Sequence, residues 1–240
     1  MSAVPVAVVT GGARRLGRHL CLTLAARGYD VVIFYRSSDE AAQALVRDII
    51  ATGRRARALA ADVGIEAQVA AAFAELARVE GRVDLLVNNV GNYNPQDVTK
   101  LTPAVWDATL ATNLSGAYYC SFHALALMPA DGNIINIGMA GLEGTRANTR
   151  GADYYVSKTG LLSLTRSLAA GYAGRNIRVN MVSPGQLDNS VDLPSPDEIG
   201  QTVPLGRAGE MSDIAQAVEY LLDARYVTGV NIDVAGGYRL

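Results

Sequence analysis

The stretch VPVAVVTGGARRLGRHL, residues 4–20, decides the fold. Its apolar start is typical of a strand that is buried on both faces. Gly11, Gly12 and Gly17 then allow a tight turn, and a helical pattern begins at residue 15. A glycine turn between a strand and a helix exposes backbone N–H groups at the helix N-terminus, where a pyrophosphate can bind. The stretch therefore favours a dinucleotide site over an ordinary turn.

The same strand–turn–helix alternation continues along the chain. Further apolar runs, which are likewise predicted to be strands buried on both faces, stand at 31–35, 56–60, 83–88, 133–138, 177–182 and 230–234. Helical patterns stand at 15–28, 39–52, 66–80, 103–128, 154–173 and 211–223, and Gly28, Gly53 and Gly81 follow the first three. The alternation predicts an α/β fold: a single doubly wound Rossmann-like domain over 1–240, with a seven-stranded parallel sheet flanked by helices on both faces.

Composition narrows the class of function. The chain has 240 residues, a formal net charge of −2, and no basic tract, so we expect neither nucleic acid nor a membrane as partner. Its two cysteines, Cys21 and Cys120, stand in apolar patterns and are predicted to be buried free thiols in a reducing, cytoplasmic compartment. No Cys, His and carboxylate cluster has ligand spacing, so no metal site is predicted.

Five short motifs follow in a fixed order. They are Thr-Gly-x5-Gly at 10–17, Asn-Asn-Val-Gly at 88–91, Asn113, Tyr154-x-x-x-Lys158 and Pro184-Gly185. Each motif is weak alone, but together and at these intervals they resemble the short-chain dehydrogenase/reductase family over essentially the whole chain. The resemblance implies an oxidoreductase that uses a nicotinamide cofactor on a small-molecule substrate. It also implies a homodimer or homotetramer assembled through the helices near 103–128 and 154–173.

Tyr154 and Lys158 stand at i and i+4, so they share one face of a helix. A lysine cation beside a phenol favours the phenolate, which predicts a lowered pKa for Tyr154. The resemblance implies that Tyr154 protonates the substrate oxygen as hydride arrives from the nicotinamide. It implies that Lys158 holds the nicotinamide ribose and that Asn113 anchors a water chain to Lys158.

The end of the second strand indicates which cofactor is bound. An acidic residue at this corner selects NAD by binding the ribose 2′-hydroxyl. Here Arg36 and Ser37 occupy the corner, and no carboxylate appears before Asp39. Arg14 and Arg15 could add positive charge on the same side. Cations around one phosphate favour NADP.

The resemblance assigns further residues to the cofactor. Asp62 matches the residue at the adenine edge, although it could equally be the N-cap of the next helix. Asn189 stands where relatives often have a phosphate-binding Thr. The full predicted cofactor set is Gly11, Arg14, Arg15, Leu16, Gly17, Arg36, Ser37, Asp62, Val63, Asn89, Val90, Gly91, Tyr154, Lys158, Pro184, Gly185 and Leu187.

One member of the family's catalytic group is missing. Met139 stands just after the fifth strand, where relatives carry a Ser, and Met is no strong hydrogen-bond donor. Three explanations stay open. A donor from the loop 141–153 could substitute, namely Thr145, Asn148, Thr149 or Asp153. Alternatively, the substrate needs less polarisation, as a C=N bond does, or the chain binds cofactor with little turnover.

The substrate side gives mixed signals. Arg15-Leu16-Gly17 and a ring-stacking Tyr93 resemble pteridine reductases, but those carry Asp where Met139 stands. The segments YRSSDEA, LSLTRSLA, NIRVNMVSPG and PLGRAGE resemble 3-oxoacyl thioester reductases. We therefore expect an NADPH-dependent reductase of a small carbonyl compound, with a pteridine reductase as the alternative. Tyr93 and Met139 are predicted to contact substrate, and the polar segment 186–204 is predicted to form a lid.

Overall fold

The computed structural model describes residues 4–144, 147–188 and 195–239. Its strands form one sheet in the order β3-β2-β1-β4-β5-β6-β7, and every neighbouring pair is parallel. The strands are β1 (Val6–Thr10), β2 (Asp30–Tyr35), β3 (Ala56–Ala60), β4 (Leu85–Asn88), β5 (Asn133–Ile137), β6 (Arg178–Pro184) and β7 (Asn231–Val234). The predicted seven-stranded doubly wound fold is confirmed.

Helices cover both faces of this sheet. They are α1 (Arg15–Ala26), α2 (Asp39–Ala51), α3 (Glu66–Val79), α4 (Pro103–Leu110), α5 (Gly116–Leu127), α6 (Ala152–Tyr172), α7 (Pro196–Thr202) and α8 (Met211–Asp223). Apolar side chains of α1, α2 and α8 form one core cluster with one face of the sheet. Those of α3, α5 and α6 form a second cluster with the other face.

The side chains of β1 alternate between the two core clusters, which explains why helices must cover both faces of the sheet. Val6 and Val8 belong to one core cluster, whereas Ala7 and Val9 belong to the other. Successive side chains of a strand point to opposite faces, so an apolar strand needs cover on each side. The edge strands are different, because most residues of β3 and β7 are only partly buried. The expectation that every strand is buried on both faces is therefore wrong at the two edges.

The helix predicted over 103–128 is continuous but irregular. Between α4 and α5 the residues Ala111–Ser115 form a π-helical turn. Such a turn inserts one residue into a helix and is frequent at functional sites. Asn113 lies in this turn and is buried.

The segment predicted as a lid, 186–204, contains a short helix rather than loop alone. Helix α7 begins at a capping box, in which Ser195 Oγ accepts from Glu198 N and the Glu198 carboxylate accepts from Ser195 N. Residues 189–194, including Asn189, lie outside the described residues. Within the described part of the chain, no helix is both long and apolar enough to cross a membrane. Cys21 and Cys120 are buried free thiols, as predicted.

Candidate active site

The glycine turn at the end of β1 is closed by atoms from the end of β4. Asn89 Nδ2 donates to Thr10 O at 3.0 Å and to Gly11 O at 3.3 Å. Gly11 has a φ of +62°, which favours glycine. A Cβ at Gly17 would lie 2.7 Å from Asn89 Nδ2 and closer still to Gly11 O. The turn therefore requires Gly17, and this keeps the start of α1 close to β4.

Positive charge gathers at the outer end of this turn. Arg14, Arg15, Arg36 and Ser37 are all exposed. Arg36 Nη1 lies 3.7 Å from Asp62 Oδ2, and the Arg36 side chain is 69% exposed. A contact of this kind contributes little to stability and leaves the guanidinium accessible to a ligand.

Asp62 closes a turn and is not a helix cap. Its Oδ1 accepts from Gly64 N at 3.0 Å, whereas α3 begins only at Glu66, with Ile65 at the N-cap position. The alternative reading of Asp62 as the N-cap is therefore wrong. The neighbouring Val63 is buried against Gly116, since a Cβ on Gly116 would lie 2.9 Å from Val63 Cγ2.

Tyr154 and Lys158 lie in the first turns of α6, but they do not hydrogen-bond to each other. Lys158 Nζ donates to Ile137 O at 2.7 Å and lies 5.7 Å from the centre of the Tyr154 ring. Burial lowers the pKa of Lys158 to about 8. The Ile137 carbonyl oxygen at the carboxyl end of β5 thus holds the lysine, which shares a helix face with the tyrosine.

The pKa of Tyr154 departs from the prediction. Burial, together with the nearby Tyr93, raises the pKa of the Tyr154 phenol to about 12, and the charge of Arg239 acts in the opposite direction. The expected lowering by Lys158 is wrong for this structure, because the phenolate would be desolvated and Lys158 is directed to Ile137. At neutral pH the phenol therefore keeps its proton.

Asn113 ties the segment after β4 to α6. Its Oδ1 accepts from Asn92 N at 2.7 Å, and its Nδ2 donates to Asn92 O at 2.9 Å and to Ser157 Oγ at 3.1 Å. The π-helical turn directs this amide inward, where all three bonds form. Asn113 thus fixes the loop beside Lys158, and its water chain stays a prediction.

A cavity of about 580 Å³ opens at the carboxyl ends of the strands. The predicted site residues that line it are Arg15, Leu16, Asn89, Gly91, Tyr93, Met139, Tyr154, Lys158, Pro184, Gly185 and Leu187. The other predicted residues, Gly11, Arg14, Gly17, Arg36, Ser37, Asp62, Val63, Val90 and Asn113, are not part of this lining. The fold thus joins the glycine turn to Tyr154 and Lys158 across one open space.

The structure separates the four candidate replacements for the missing serine. Asn148 lines the cavity, and its Oδ1 accepts from Arg150 N at 3.2 Å. Asp153 is buried on the other side of α6, where it accepts from Thr109 Oγ1 at 2.6 Å, so it is not a donor to the cavity. Thr149 is exposed and is absent from the lining, and Thr145 lies outside the described residues.

Met139 and Tyr93 both line the cavity that contains Tyr154. Met139 is partly buried against the cluster that contains Leu142 and Tyr155. Tyr93 is 41% exposed, and its ring packs edge-on against that of Tyr154, with 5.0 Å between centroids. Both therefore border the space in front of Tyr154.

Among the cavity residues that the sequence analysis did not single out, three carry a charge or a hydroxyl group: Arg150, Tyr238 and Arg239. Arg150 stands in the loop before α6, within the segment 141–153 that was considered only for a replacement of the missing serine. Tyr238 and Arg239 follow β7. Because the carboxyl ends of parallel strands meet at one edge, the residues after β7 could have been expected there.

The matches to known proteins extend over nearly the whole chain. A family model described as enoyl-(acyl carrier protein) reductase matches residues 11–239. The 3-oxoacyl-acyl-carrier-protein reductase FabG of Staphylococcus aureus is 34% identical over 243 residues, which cover 99% of this chain and 99% of that protein. Carbonyl reductase family member 4 of Danio rerio is 36% identical over 237 residues, with 98% of each covered.

Solved structures are also similar to this chain over almost its whole length. A blue fluorescent protein from a metagenomic library, in complex with NADPH, is 37% identical with a TM-score of 0.92, and 98% of each chain is covered. A short-chain dehydrogenase of Burkholderia cenocepacia in complex with NADP is 33% identical with a TM-score of 0.91, over 97% of each chain. The likeness extends from the glycine turn to the residues after β7.

Proposed function

Because the chain belongs to the short-chain dehydrogenase/reductase family of oxidoreductases, we propose that it reduces a small carbonyl compound with NADPH, with 3-oxoacyl thioesters as the favoured class. The observation that carries the proposal is the single cavity in which the glycine-turn residues Arg15 and Leu16 face Tyr154 and Lys158. A hydride donor and a proton donor must reach the same carbonyl group, and this cavity provides room for both.

The residues present fit a dinucleotide that carries a 2′-phosphate. The turn that Gly17 and Asn89 hold closed leaves space for backbone to approach a pyrophosphate. Arg14, Arg36 and Ser37 are exposed at the ribose corner and would bind the 2′-phosphate. When bound, NADPH supplies the hydride that the substrate carbon accepts.

Tyr154 serves as the general acid in this proposal. Its pKa of about 12 keeps the hydroxyl protonated at neutral pH, so the proton is available for the carbonyl oxygen as negative charge develops there. Lys158, held by Ile137 O, lies beside the Tyr154 ring and would bind the nicotinamide ribose, whereas the charge of Arg239 favours the phenolate that this proton transfer leaves. Asn113 positions the loop that borders Lys158.

Asn148 takes the place of the missing serine in this proposal. It lines the cavity, and its Oδ1 is used by Arg150 N, which leaves its amide N–H groups to donate. A second donor to the carbonyl oxygen stabilises the charge that develops in the transition state. Met139 supplies only an apolar wall to this space.

A pteridine reductase is the second candidate, and Tyr93 is the observation that favours it. Its ring is exposed at the cavity and could stack against a flat heterocycle. Its edge-on packing against Tyr154 holds the ring in place without covering it. Reduction of a C=N bond also requires less polarisation, which suits the methionine at position 139.

The test follows NADPH consumption by the purified protein with an acetoacetyl thioester and a dihydropterin in parallel. We expect turnover of the thioester that disappears in Tyr154→Phe and that NADH supports poorly. Turnover of the dihydropterin alone, weakened by Tyr93→Ala, would select the second candidate. Carbonyl turnover that Tyr154→Phe leaves intact would reject the assignment of Tyr154.

We also propose that the chain is one catalytic domain that assembles into homodimers or homotetramers. Tyr118 and Phe122 on α5 are 47% and 60% exposed, and Val156 on α6 is 44% exposed. Apolar side chains of this size on neighbouring helices are suited to contact with a second copy. Light scattering of the purified protein, compared with Phe122→Asp, measures the assembly.

A further inference from the structure

The charged residues that line the cavity are all cations. They are Arg15, Arg150, Lys158 and Arg239, and no Asp or Glu is among the described lining residues. Arg15 belongs to the glycine turn, and Lys158 is engaged by Ile137 O. Arg150 and Arg239 remain for the substrate. They come from the segments after β5 and β7, whereas Arg15 belongs to the turn after β1.

The Arg239 side chain is held at the cavity by packing against Gly141 and Tyr238. Its aliphatic part crosses Gly141, where an added Cβ would lie 2.9 Å from Arg239 Cδ and 3.0 Å from its Cβ. Its guanidinium lies over the Tyr238 ring, 5.3 Å from the centroid. Its charge acts on the Tyr154 hydroxyl, since it opposes the rise of that group's pKa.

Neither arginine forms an ion pair with a described carboxylate within 4.0 Å. The acidic groups around them are engaged elsewhere. Asp233 accepts from Gly141 N at 2.8 Å and from Asn231 Nδ2 at 2.8 Å. Asp97, which pairs with Arg150 through the backbone, accepts from Thr99 N and Oγ1, and Arg150 contributes to lowering its pKa.

We propose that Arg150 and Arg239 bind an anionic group of the substrate, a carboxylate or a phosphate, while its carbonyl group faces Tyr154. Arg guanidinium groups bind both anions through charge-assisted hydrogen bonds. The inference rests on the proposed carbonyl reduction and restricts its substrates to carbonyl compounds that carry an anion, namely oxo acids, phosphorylated ketones and thioesters whose thiol carrier bears a phosphate. An acyl chain with a free carboxylate fits this class, whereas a neutral ketone forms an ion pair with neither arginine.

Titration calorimetry of the complex with NADP⁺ tests this without turnover. The probes are acetoacetate, dihydroxyacetone phosphate and the neutral methyl acetoacetate, which separate carboxylate from phosphate and from the carbonyl group alone. We expect one anion to bind at least about tenfold more tightly than methyl acetoacetate. Arg239→Gln and Arg150→Gln should each weaken that anion about tenfold to a hundredfold and leave methyl acetoacetate within about threefold.

Arg47→Gln is the matched control, because it removes one positive charge from the exposed face of α2. Arg239→Lys should restore part of the anion affinity. Equal affinity of the wild-type protein for all three probes, or equal weakening of all three by the variants, would overturn the inference. Anion preference without Tyr154-dependent turnover of any probe or of the acetoacetyl thioester would reject only the proposed function. Turnover without anion preference would reject only the anion site.

Discussion

Lys158 Nζ lies 5.7 Å from the centre of the Tyr154 ring and donates to Ile137 O at 2.7 Å. The pair thus shares a helix face without a direct hydrogen bond. Burial moves the two pKa values in opposite senses, that of Tyr154 up to about 12 and that of Lys158 down to about 8. Each shift favours the neutral form, so the tyrosine is prepared as an acid, which suits reduction.

The first prediction concerns the proton donor. Tyr154→Phe should lower kcat for the carbonyl substrate by about 10²–10⁴, the usual contribution of a general acid. NADPH affinity, measured by fluorescence titration, should change little because the ring remains. Single-turnover kinetics with saturating NADPH separate the two effects.

Tyr155→Phe is the neighbouring control. The Tyr155 ring packs in the cluster with Leu142 and Leu161, and its hydroxyl donates to Gly144 O at 3.2 Å. Its loss should cost stability of about 1 kcal/mol and leave kcat nearly unchanged. Equal losses of kcat in both variants would show that the tyrosines act through packing.

The second prediction concerns the buried lysine. The pKa of Lys158 is lowered from 10.5 to about 8 in the folded protein. Below pH 8 both the folded and unfolded states carry the charge, and the folded state bears the full cost of its burial. As pH rises towards 10.5 the folded state releases its proton first, so the wild-type protein gains stability relative to Lys158→Met. The gain should reach about 3 kcal/mol.

Urea unfolding at pH 7, 8, 9 and 10 measures this trend, because groups that titrate in both proteins cancel in the difference. Lys158→Met should also be inactive. Parallel stability curves for the two proteins would contradict the lowered pKa.

The sequence was sufficient to predict the seven-stranded parallel sheet and most of the residues that line the cavity. Repeated apolar strands and the glycine turn at Gly17 define local structure, and the order of strands fixes which ends meet. The resemblance to the short-chain dehydrogenase/reductase family assigned Tyr154, Lys158 and Leu187 to the predicted site, together with Met139 in place of the serine.

Sequence failed where the result depends on contacts between distant segments. The pKa of Tyr154 is governed by burial and by Tyr93 and Arg239, which lie far from it in sequence. The π-helical turn around Asn113 accompanies its bonds to Asn92, a contact between separate segments that periodicity does not reveal. The partial exposure of β3 results from its position at the edge of the sheet and not from its own residues.

The third prediction concerns cofactor choice. Arg36→Ala should weaken NADPH roughly tenfold to a hundredfold, since a guanidinium bond to a phosphate is lost. NADH has no 2′-phosphate, so its affinity should stay the same. The contact of Arg36 with Asp62 is exposed, so folding should be unaffected.

Equilibrium binding of both nucleotides to the wild-type protein, Arg36→Ala and Arg47→Ala measures this effect, with Arg47 as the exposed arginine outside the site. Parallel weakening of NADPH and NADH by Arg36→Ala would mean that Arg36 does not contact the 2′-phosphate.

The fourth prediction concerns the glycine turn. A Cβ at Gly17 would lie 2.7 Å from Asn89 Nδ2, so Gly17→Ala must open the turn. We expect a loss of about 1–3 kcal/mol in unfolding free energy, together with strongly weakened NADPH binding. Gly171→Ala, on α6 with nothing within 4 Å of the added Cβ, should be neutral or slightly stabilising. Unchanged NADPH binding by Gly17→Ala would contradict the described turn.

The last prediction concerns the missing serine. If Asn148 is the second donor, Asn148→Ala should lower kcat by about 10²–10³, as for other donors to a developing oxyanion. Met139→Ser introduces a hydroxyl where relatives have one and should recover much of that loss in the double variant. The two substitutions should therefore be non-additive in kcat.

The measurement is kcat of the wild-type protein, Asn148→Ala, Met139→Ser and the double variant, with one carbonyl substrate and saturating NADPH. The four values give the interaction free energy between the two substitutions. NADPH affinity serves as the control, because neither side chain belongs to the glycine turn or to the ribose corner. Strict additivity would show that Asn148 and Met139→Ser do not replace one another. An unchanged kcat in Asn148→Ala would show that Asn148 does not donate to the carbonyl oxygen, and it would favour a substrate that needs less polarisation, such as the C=N bond of the second candidate.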